Sequence, residues 1–522
     1  MQLEEFLHHL HTDPEKITPL GWEIDWEDAP LSYKLYRNLP VIPLSADIPL
    51  KLEESEPREP DLERIGHFLW YVYGLAQVSQ SVIPTEDGEP EIIQSFRRFP
   101  ASGGALYPNE LYIYLKLADL PSGVYHYDVA HHRLVLLREG NFDDYITRAI
   151  GKNCDISSCY GTVFVSTMFW KNFFKYNNFA YRLQGLDAGV LMGQLMEVSK
   201  RFGFASGVYF QFLDRAINHL LGIDEKEESV YAVIPLTVEP LNWSFAGRGI
   251  EGSISAESLC RELSETQFAH YVRSQRVKEF PKLIELNEAS MIEMLPCARK
   301  AGTVEQMDSE GADIKLPFVE PLPYDLAEAC HQRFSPEMDF RMQTISQEQL
   351  AVLLQEASAS FLYRNDLDDS DSNGLPRVSI YICLHGVEGI PSGAYRYDGV
   401  AHALKLIRPG DHRLQLQYSL SLDNVNMLQV PLCLHVAGAK DSFGSPLGYR
   451  GYRIQQMEAG MLVQRVLLAA SAIGLQGHPL LGFDVKVCDS IYQMDRQGLT
   501  SLIQIPIGTV GQRPWLKGTL HH

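Results

Sequence analysis

Pro121-Ser-Gly-Val-Tyr-His-Tyr-Asp128 recurs as Pro391-Ser-Gly-Ala-Tyr-Arg-Tyr-Asp398, a shift of 391 − 121 = 270 that holds without a gap as far as Gly140 and Gly410. Pro and Gly supply a turn, and the alternating aromatics supply a strand. Downstream, Ala180-Tyr-Arg-Leu-Gln-Gly-Leu-Asp187-Ala-Gly189 matches Gly451-Tyr-Arg-Ile-Gln-Gln-Met-Glu458-Ala-Gly460 at 458 − 187 = 271. Two blocks in the same order at nearly one offset make the chain a tandem duplication with one inserted residue between the blocks.

Outward from these blocks, each copy shows one grammar. A helical pattern (Leu62 to Gln77; Gln347 to Ala359) precedes a loop and the strand Leu111-Tyr-Ile-Tyr-Leu or Val378-Ser-Ile-Tyr-Ile-Cys. A second strand (Gly161 to Ser166; Pro431 to Val436) leads into a long amphipathic helix, and a strand closes each copy at Val230 to Ile234 and Leu502 to Pro506. The pattern predicts an α+β fold in each half, a central sheet flanked by helices. At 522 residues the chain exceeds one ordinary core, so two domains are expected, 1–245 and 321–522, joined by an acid-rich, helix-compatible linker over 246–320 that includes Ala256 to Glu285.

Composition narrows the function. Hydrophobic residues make up 45% and charged residues 21%, the usage of a folded soluble protein. A formal net charge of −21 disfavours nucleic acid as a partner. It leaves room for an anionic cofactor, because a local pair of arginines outweighs a distant field screened within ~10 Å at 0.1 M salt. No apolar run is long enough to span a bilayer, and the amino terminus carries acids where a signal peptide has a basic start, so a cytoplasmic location is expected. The eight cysteines are scattered without a CxxC pair or a His partner at zinc spacing, which points to no metal site.

The loop of the first copy reads Arg97-Arg98-Phe99-Pro100-Ala101-Ser102-Gly103-Gly104-Ala105-Leu106-Tyr107-Pro108. Its small residues let backbone N–H groups approach a ligand, and its arginines offer charge-assisted bonds to a phosphate. It is neither a Rossmann nor a Walker loop. By itself it is more often a plain turn.

Four motifs together resemble the SagB-type dehydrogenases, azoline oxidases of the nitroreductase superfamily that include the tandem-built cyanobactin oxidases. They are the RR-x-P-x-SGGALYP loop, the PSG-x-Y-x-YD strand, the KY-x4-YR-x4-[DE]AG helix and Asp25-Trp26-Glu-Asp-Ala-Pro30-Leu-Ser-Tyr33-Lys34. The resemblance implies FMN, a nitroreductase fold and a flavin held at the interface of the two copies, which then form a pseudo-dimer. It also sorts the residues. A phosphate-binding R-x-S would fall at Arg333-Phe334-Ser335, with Glu337 where the family has a basic residue, and Tyr33-Lys34-Leu35-Tyr36 stands in the matching region of the first copy. The loop that approaches the reactive edge of the flavin would be Pro479-Leu480-Leu481-Gly482-Phe483, with Gln211 in place of Gly482 in the first copy. Arg513 is a further candidate phosphate contact.

The family's Lys-Tyr pair falls at Lys175-Tyr176, against Pro446 and Leu447 in the second copy, and the second copy replaces the glycine loop with the acid-rich Asp368 to Gly374. One composite site is therefore expected: Pro100, Ser102, Gly103, Gly104, Tyr107 and the Lys175–Tyr176 pair from the first copy, and Arg333, Ser335, Leu480, Leu481 and Gly482 from the second. FMN would bind once per chain, and the mirror site would be empty. Read without the family, Lys175 and Tyr176 could be a solvated lysine and a core tyrosine, and Arg333 could simply pair with Asp339.

The activity implied is oxidation of a peptide thiazoline or oxazoline to the thiazole or oxazole, with Lys175 or Tyr176 as base and dioxygen as final acceptor. The peptide would arrive tethered to a carrier protein of a nonribosomal synthetase module, or as a ribosomal precursor with its cyclase. A homodimer is possible on this reading. The competing readings are an NAD(P)H-dependent nitro- or quinone reductase and a flavin-less scaffold protein.

Overall fold

The computed structural model describes every residue except 84–90, 153, 241–252, 296–312, 369–376, 445, 512–515 and 520–522. Each half is built on a seven-stranded sheet, antiparallel at every pairing. The first runs Val41–Pro43, Arg133–Glu139, Gly123–Asp128, Asn109–Leu115, Gly161–Met168, Glu228–Thr237, Ala205–Ser206, and the second runs Asp313–Lys315, Ala403–Pro409, Gly393–Asp398, Val378–Leu384, Leu432–Ala439, Leu499–Gly508, Gln476–Gly477. The orders correspond strand for strand. Even the irregularities repeat: the register slips at Val124/Tyr125 and at Ala394/Tyr395, and again at Val165/Ser166 and Val436/Ala437.

The duplicated PSG-x-Y-x-YD piece forms an equivalent turn and strand in each half for physical reasons. Tyr395 Oη donates to Pro391 O at 2.7 Å, and Tyr125 Oη makes the same bond to Pro121 O. Tyr127 and Tyr397 share hydrogen bonds of 2.8 and 2.7 Å with Nδ1 of His132 and His402, two histidines in the left-handed region. Asp128 and Asp398 accept backbone N–H groups of the turn that follows.

The long helices Ala180–Arg201 and Tyr449–Ala472 pack against each other at the centre of the molecule. Glycine makes the crossing possible. A Cβ on Gly189 would lie 1.9 Å from Met457 O, and one on Gly460 would lie 2.2 Å from Leu186 O. Tyr181 and Tyr452 stack across the crossing at 6.1 Å and 11°, and Gln464 Nε2 donates to Gln194 Oε1 at 2.7 Å. Each duplicated residue thus meets its own counterpart or a near neighbour of it.

Two readings of local structure are corrected. The helix that begins at Leu62 ends at Tyr73 rather than Gln77: Gly74 leaves the helix in extended backbone, and Gln77–Ile83 is a strand between Glu91–Arg97 and the C-terminal strand Leu516–Thr519. The expected helical linker is helical only at Ala256–Cys260 and Pro281–Ser290 among its described residues. Its middle is irregular backbone hydrogen-bonded to the N-terminal arm, with Arg37 N–H donating to Ala269 O and Tyr271 N–H to Leu35 O. Among the described residues no helix is long and apolar enough to cross a membrane.

Because a methyl on Gly189 has no room to move away from backbone, Gly189→Ala is expected to destabilise the fold by about 3 kcal/mol, at the upper end for overpacking. The urea midpoint measures it, and a variant unfolding together with the wild type would contradict the crossing described.

Candidate functional site

The loop after Glu91–Arg97 is held in an unusual backbone. Gly104, Ala105 and Tyr107 all have positive φ, at 63°, 54° and 48°, strain that only a well-determined surround sustains. Asp187, on the long helix, supplies part of that surround by accepting Ser102 Oγ at 2.8 Å and Gly103 N–H at 3.1 Å. Ser102 Oγ in turn accepts Tyr107 N–H at 2.9 Å, and Tyr107 Oη accepts Arg98 N–H at 3.0 Å. Lys171 donates to Tyr107 O and is ion-paired with Glu110. Burial raises the Asp187 carboxyl to about 7, against the pull of its two donors.

The helix Trp170–Tyr176 presents Lys175 and Tyr176 to this loop. A Cβ on Gly104 would lie 2.6 Å from Tyr176 Oη and 2.9 Å from Lys175 Nζ. Only a glycine leaves both polar atoms against the backbone here. Among the described residues the Lys175 ammonium has no carboxylate partner; its neighbours are the rings of Tyr176 at 5.0 Å and Trp26 at 5.4 Å. Burial lowers the Lys175 pKa, and burial together with the nearby Asp187 pushes Tyr176 up to about 12. Tyr176 is therefore a hydrogen-bond donor at neutral pH, and Lys175 is the more accessible base.

A crevice between the halves gathers Arg97, Arg98 and Arg333 with Gln77, Phe99 and Cys330. Arg97 Nη2 donates to Arg333 O at 3.1 Å, and Arg333 Nε donates to Phe99 O at 3.1 Å, so each half holds the other's arginine segment. Arg333 is buried, and among the described residues no ion pair joins it to Asp339 or to another acid. Burial and the neighbouring Arg97 lower its pKa to about 10. Arg98 lies between the rings of Tyr73 at 4.0 Å and Tyr107 at 4.8 Å and donates to Ser32 O, while its buried Nε and Nη1 have no protein partner. Arg98 and Arg333 are buried cations without an acid partner among the described residues, the type of group that pairs with a phosphate, and the crevice beside them encloses about 10 Å³.

Pro100 and Ala101 lead into the loop, and Ala101 and Leu481 both pack against the core of the second half. Leu480 is tied to the closing strand by N–H to Gln504 O at 2.8 Å, and Gly482 O accepts Ser421 N–H at 2.9 Å. No hydrogen bond joins Leu480–Gly482 to the loop among the described residues. Ser335 is half-buried beside Arg333. Arg513 lies outside the described residues.

The mirror position is built differently. Val208 N–H donates to Arg364 O at 2.9 Å, and the Asp366 carboxylate accepts the N–H groups of Phe210 and Gln211 at 2.9 and 2.8 Å. The first copy's counterpart of Leu480–Gly482 is thereby joined to the second copy's loop. A cavity of about 280 Å³ remains beside it, lined by Lys200, Thr237, Tyr363, Arg364 and Arg465 among others. Two of its cations are already paired with acids: Arg465 with Glu197 and Glu356, and Lys200 with Glu197. Leu447, at the position of Tyr176, is buried in the core. The counterpart assigned to Arg333–Ser335 is corrected. Lys34 is buried in an ion pair with Glu228 at 2.7 Å, and it precedes the edge strand Val41–Pro43, whereas Arg333 follows the equivalent strand Asp313–Lys315.

Asp187, Lys171 and Trp26 lie against the loop and the Lys175–Tyr176 pair, and the sequence reading gave them no role. The signal for Asp187 was the acid shared by both copies. Glu458 fills the equivalent slot and holds its own half by accepting Tyr363 Oη at 2.7 Å and Arg377 Nε at 2.9 Å.

Comparison with known proteins agrees with this architecture. Residues 331–509 match the family model described as the Nitroreductase family. A structure from Anabaena variabilis ATCC 29413, assigned as a nitroreductase, superposes with a TM-score of 0.72 over 98% of this chain and 99% of that one, at 22% identity. The second half thus matches the model of that family, and the whole chain has the fold of the Anabaena structure. Trifolitoxin-processing protein TfxB of Rhizobium leguminosarum bv. trifolii is 26% identical over 145 residues, 26% of this chain and 38% of its own length. The chain therefore spans about 38% of that curated relative.

Since the Asp187 carboxyl is raised to about 7 when folded, against roughly 3.9 when unfolded, the unfolded chain releases its proton first, and stability falls as pH rises from about 4 through 7. Asp187→Asn is expected to remove that component, so urea midpoints of the wild type should fall relative to the variant between pH 5 and pH 8. Parallel midpoints would contradict the raised carboxyl.

Proposed function

We propose that this chain is an FMN-dependent oxidoreductase that dehydrogenates an azoline ring in a peptide, thiazoline or oxazoline to thiazole or oxazole. One observation carries the reading: an acid-free, aromatic-walled lysine amine and a protonated tyrosine hydroxyl aimed together at a glycine loop. The ring carbon derived from the peptide Cα is acidified by the adjacent C=N and carbonyl, so Lys175 as free base can take its proton. Tyr176 donates a hydrogen bond beside it and orients the ring. FMN would supply the two-electron acceptor for the hydride of the neighbouring ring carbon, with dioxygen as the final oxidant. Arg333, Arg97 and Arg98 would hold its phosphate, and Pro100 to Tyr107 would supply the backbone beside it. Ser335 and Leu480, Leu481 and Gly482 are proposed as the second half's contribution, and the two cores are proposed as the domains 1–245 and 321–522.

The trifolitoxin-processing relative supports a peptide substrate. Such a peptide would be presented by a carrier protein or a cyclase, in the cytoplasm, to a chain that could pair as a homodimer.

In a thiazoline-bearing peptide incubated with FMN-loaded protein and air, mass spectrometry should show the loss of two hydrogens. Lys175→Ala and Tyr176→Phe should keep their flavin yet lower the rate by roughly 10² or more, the scale of a lost proton-transfer group. Full turnover in both variants would refute the assignment. Rapid bleaching of the flavin by NADPH without peptide oxidation would mark a nitro- or quinone reductase instead.

A further inference from the structure

The N-terminal arm passes directly over the lysine, and it is fastened there by the segment between the two halves. Trp22 packs edge-on against Phe173 at 5.3 Å, under the Lys278 ammonium at 4.1 Å. At the other end of the strap the Asp28 carboxylate accepts the N–H groups of Gln275 and Arg276, both at 2.8 Å, and Asp28 O accepts Ser274 Oγ at 2.7 Å. Ser274 Oγ also accepts the indole N–H of Trp170 at 2.9 Å, which ties the strap to the helix that carries Lys175. Arg276 closes the turn with an ion pair to Asp25 at 2.8 Å.

All these anchors flank one residue that they leave open. Trp26 sits at the tip, 56% exposed, edge-on to Phe174 at 5.5 Å and with its ring 5.4 Å from Lys175 Nζ. Beside it a cavity of about 330 Å³ opens between Asp25, Asp28, Trp170 and Phe174. Lys175 thus lies between Gly104 of the loop and the half-exposed indole of Trp26, which is placed to meet a ring that approaches the amine.

We propose that Trp26 is a substrate-positioning residue: its indole stacks on the planar azoline ring and holds it over Lys175, and residues Ser274–Lys278 fix the indole in place. The proposal rests on the azoline reading of Lys175. An indole is suited to this because it offers a large rigid face at little entropic cost, and aromatic stacking contributes enough for about a tenfold change in affinity.

The test uses full-length, FMN-loaded protein and a fluorescein-labelled peptide carrying a finished thiazole, which binds without turning over. Anisotropy should show Trp26→Ala binding it at least tenfold more weakly than the wild type and Trp26→Phe within about threefold. With the thiazoline peptide, Trp26→Ala should raise KM by a similar factor and leave kcat within about threefold. Asp28→Ala, which frees the strap without touching the ring, should weaken binding at least threefold at an unchanged flavin content. Equal affinity in wild type and Trp26→Ala would overturn the role of Trp26 while leaving Lys175 intact. A wild type that neither binds nor oxidises the peptide would overturn the azoline reading itself, and this inference with it.

Discussion

The contact on which the rest depends is the crossing of the two long helices at Gly189 and Gly460, where each backbone lies against the other with no side chain between them. That approach fixes the distance and angle between two complete sheets, and the stacked Tyr181 and Tyr452 and the paired Gln194 and Gln464 set the rotation. Everything useful between the halves follows from it. Arg333 reaches Phe99, and Arg97 reaches Arg333, only because the crossing brings the first half's loop strand to the second half's arginine.

A duplicated scaffold with an internal near-twofold axis has two equivalent crevices, and mutation need keep only one of them. In one crevice the charges are left unbalanced, with a buried Arg333 and two orphaned N–H groups of Arg98. In the other, Lys200 and Arg465 are matched by Glu197 and Glu356, and Asp366 holds the backbone at Phe210 and Gln211 beside a cavity of about 280 Å³. Unbalanced buried charge is costly by itself and productive around an anion, and this contrast supports the crevice at Arg98 and Arg333 as the one proposed to hold the phosphate. The same divergence explains the dyad. Lys175 and Tyr176 face a glycine, whereas Leu447 is absorbed into the core.

The duplication and the α+β class were legible because they are written in local patterns: a turn dipeptide, alternating aromatics and an offset. The helix that begins at Leu62 was read four residues too long because Leu75 and Ala76 continue its apolar content, whereas the strand that starts at Gln77 is set by pairing with Glu91–Arg97 and with Leu516–Thr519, the latter far away in sequence. The linker was misread for a similar reason: the residues after Cys260 suit a helix, but their backbone finds partners in the N-terminal arm. Within the site, Ser102 to Gly104 and the Lys175–Tyr176 pair stood out as motifs. Asp187 and Trp26 lay inside quoted motifs without an assigned role, because the bonds of Asp187 to Ser102 and Gly103 and the approach of Trp26 to Lys175 exist only in the folded chain.

The asymmetry between the halves is the central claim, and the ratio of flavin to chain tests it most directly. FMN released by denaturing the purified, FMN-saturated protein and measured by its absorbance should amount to one per chain. Two per chain would show that the crevice beside Asp366, with its cations matched by Glu197, also holds a flavin, and the account of a single composite site would be wrong.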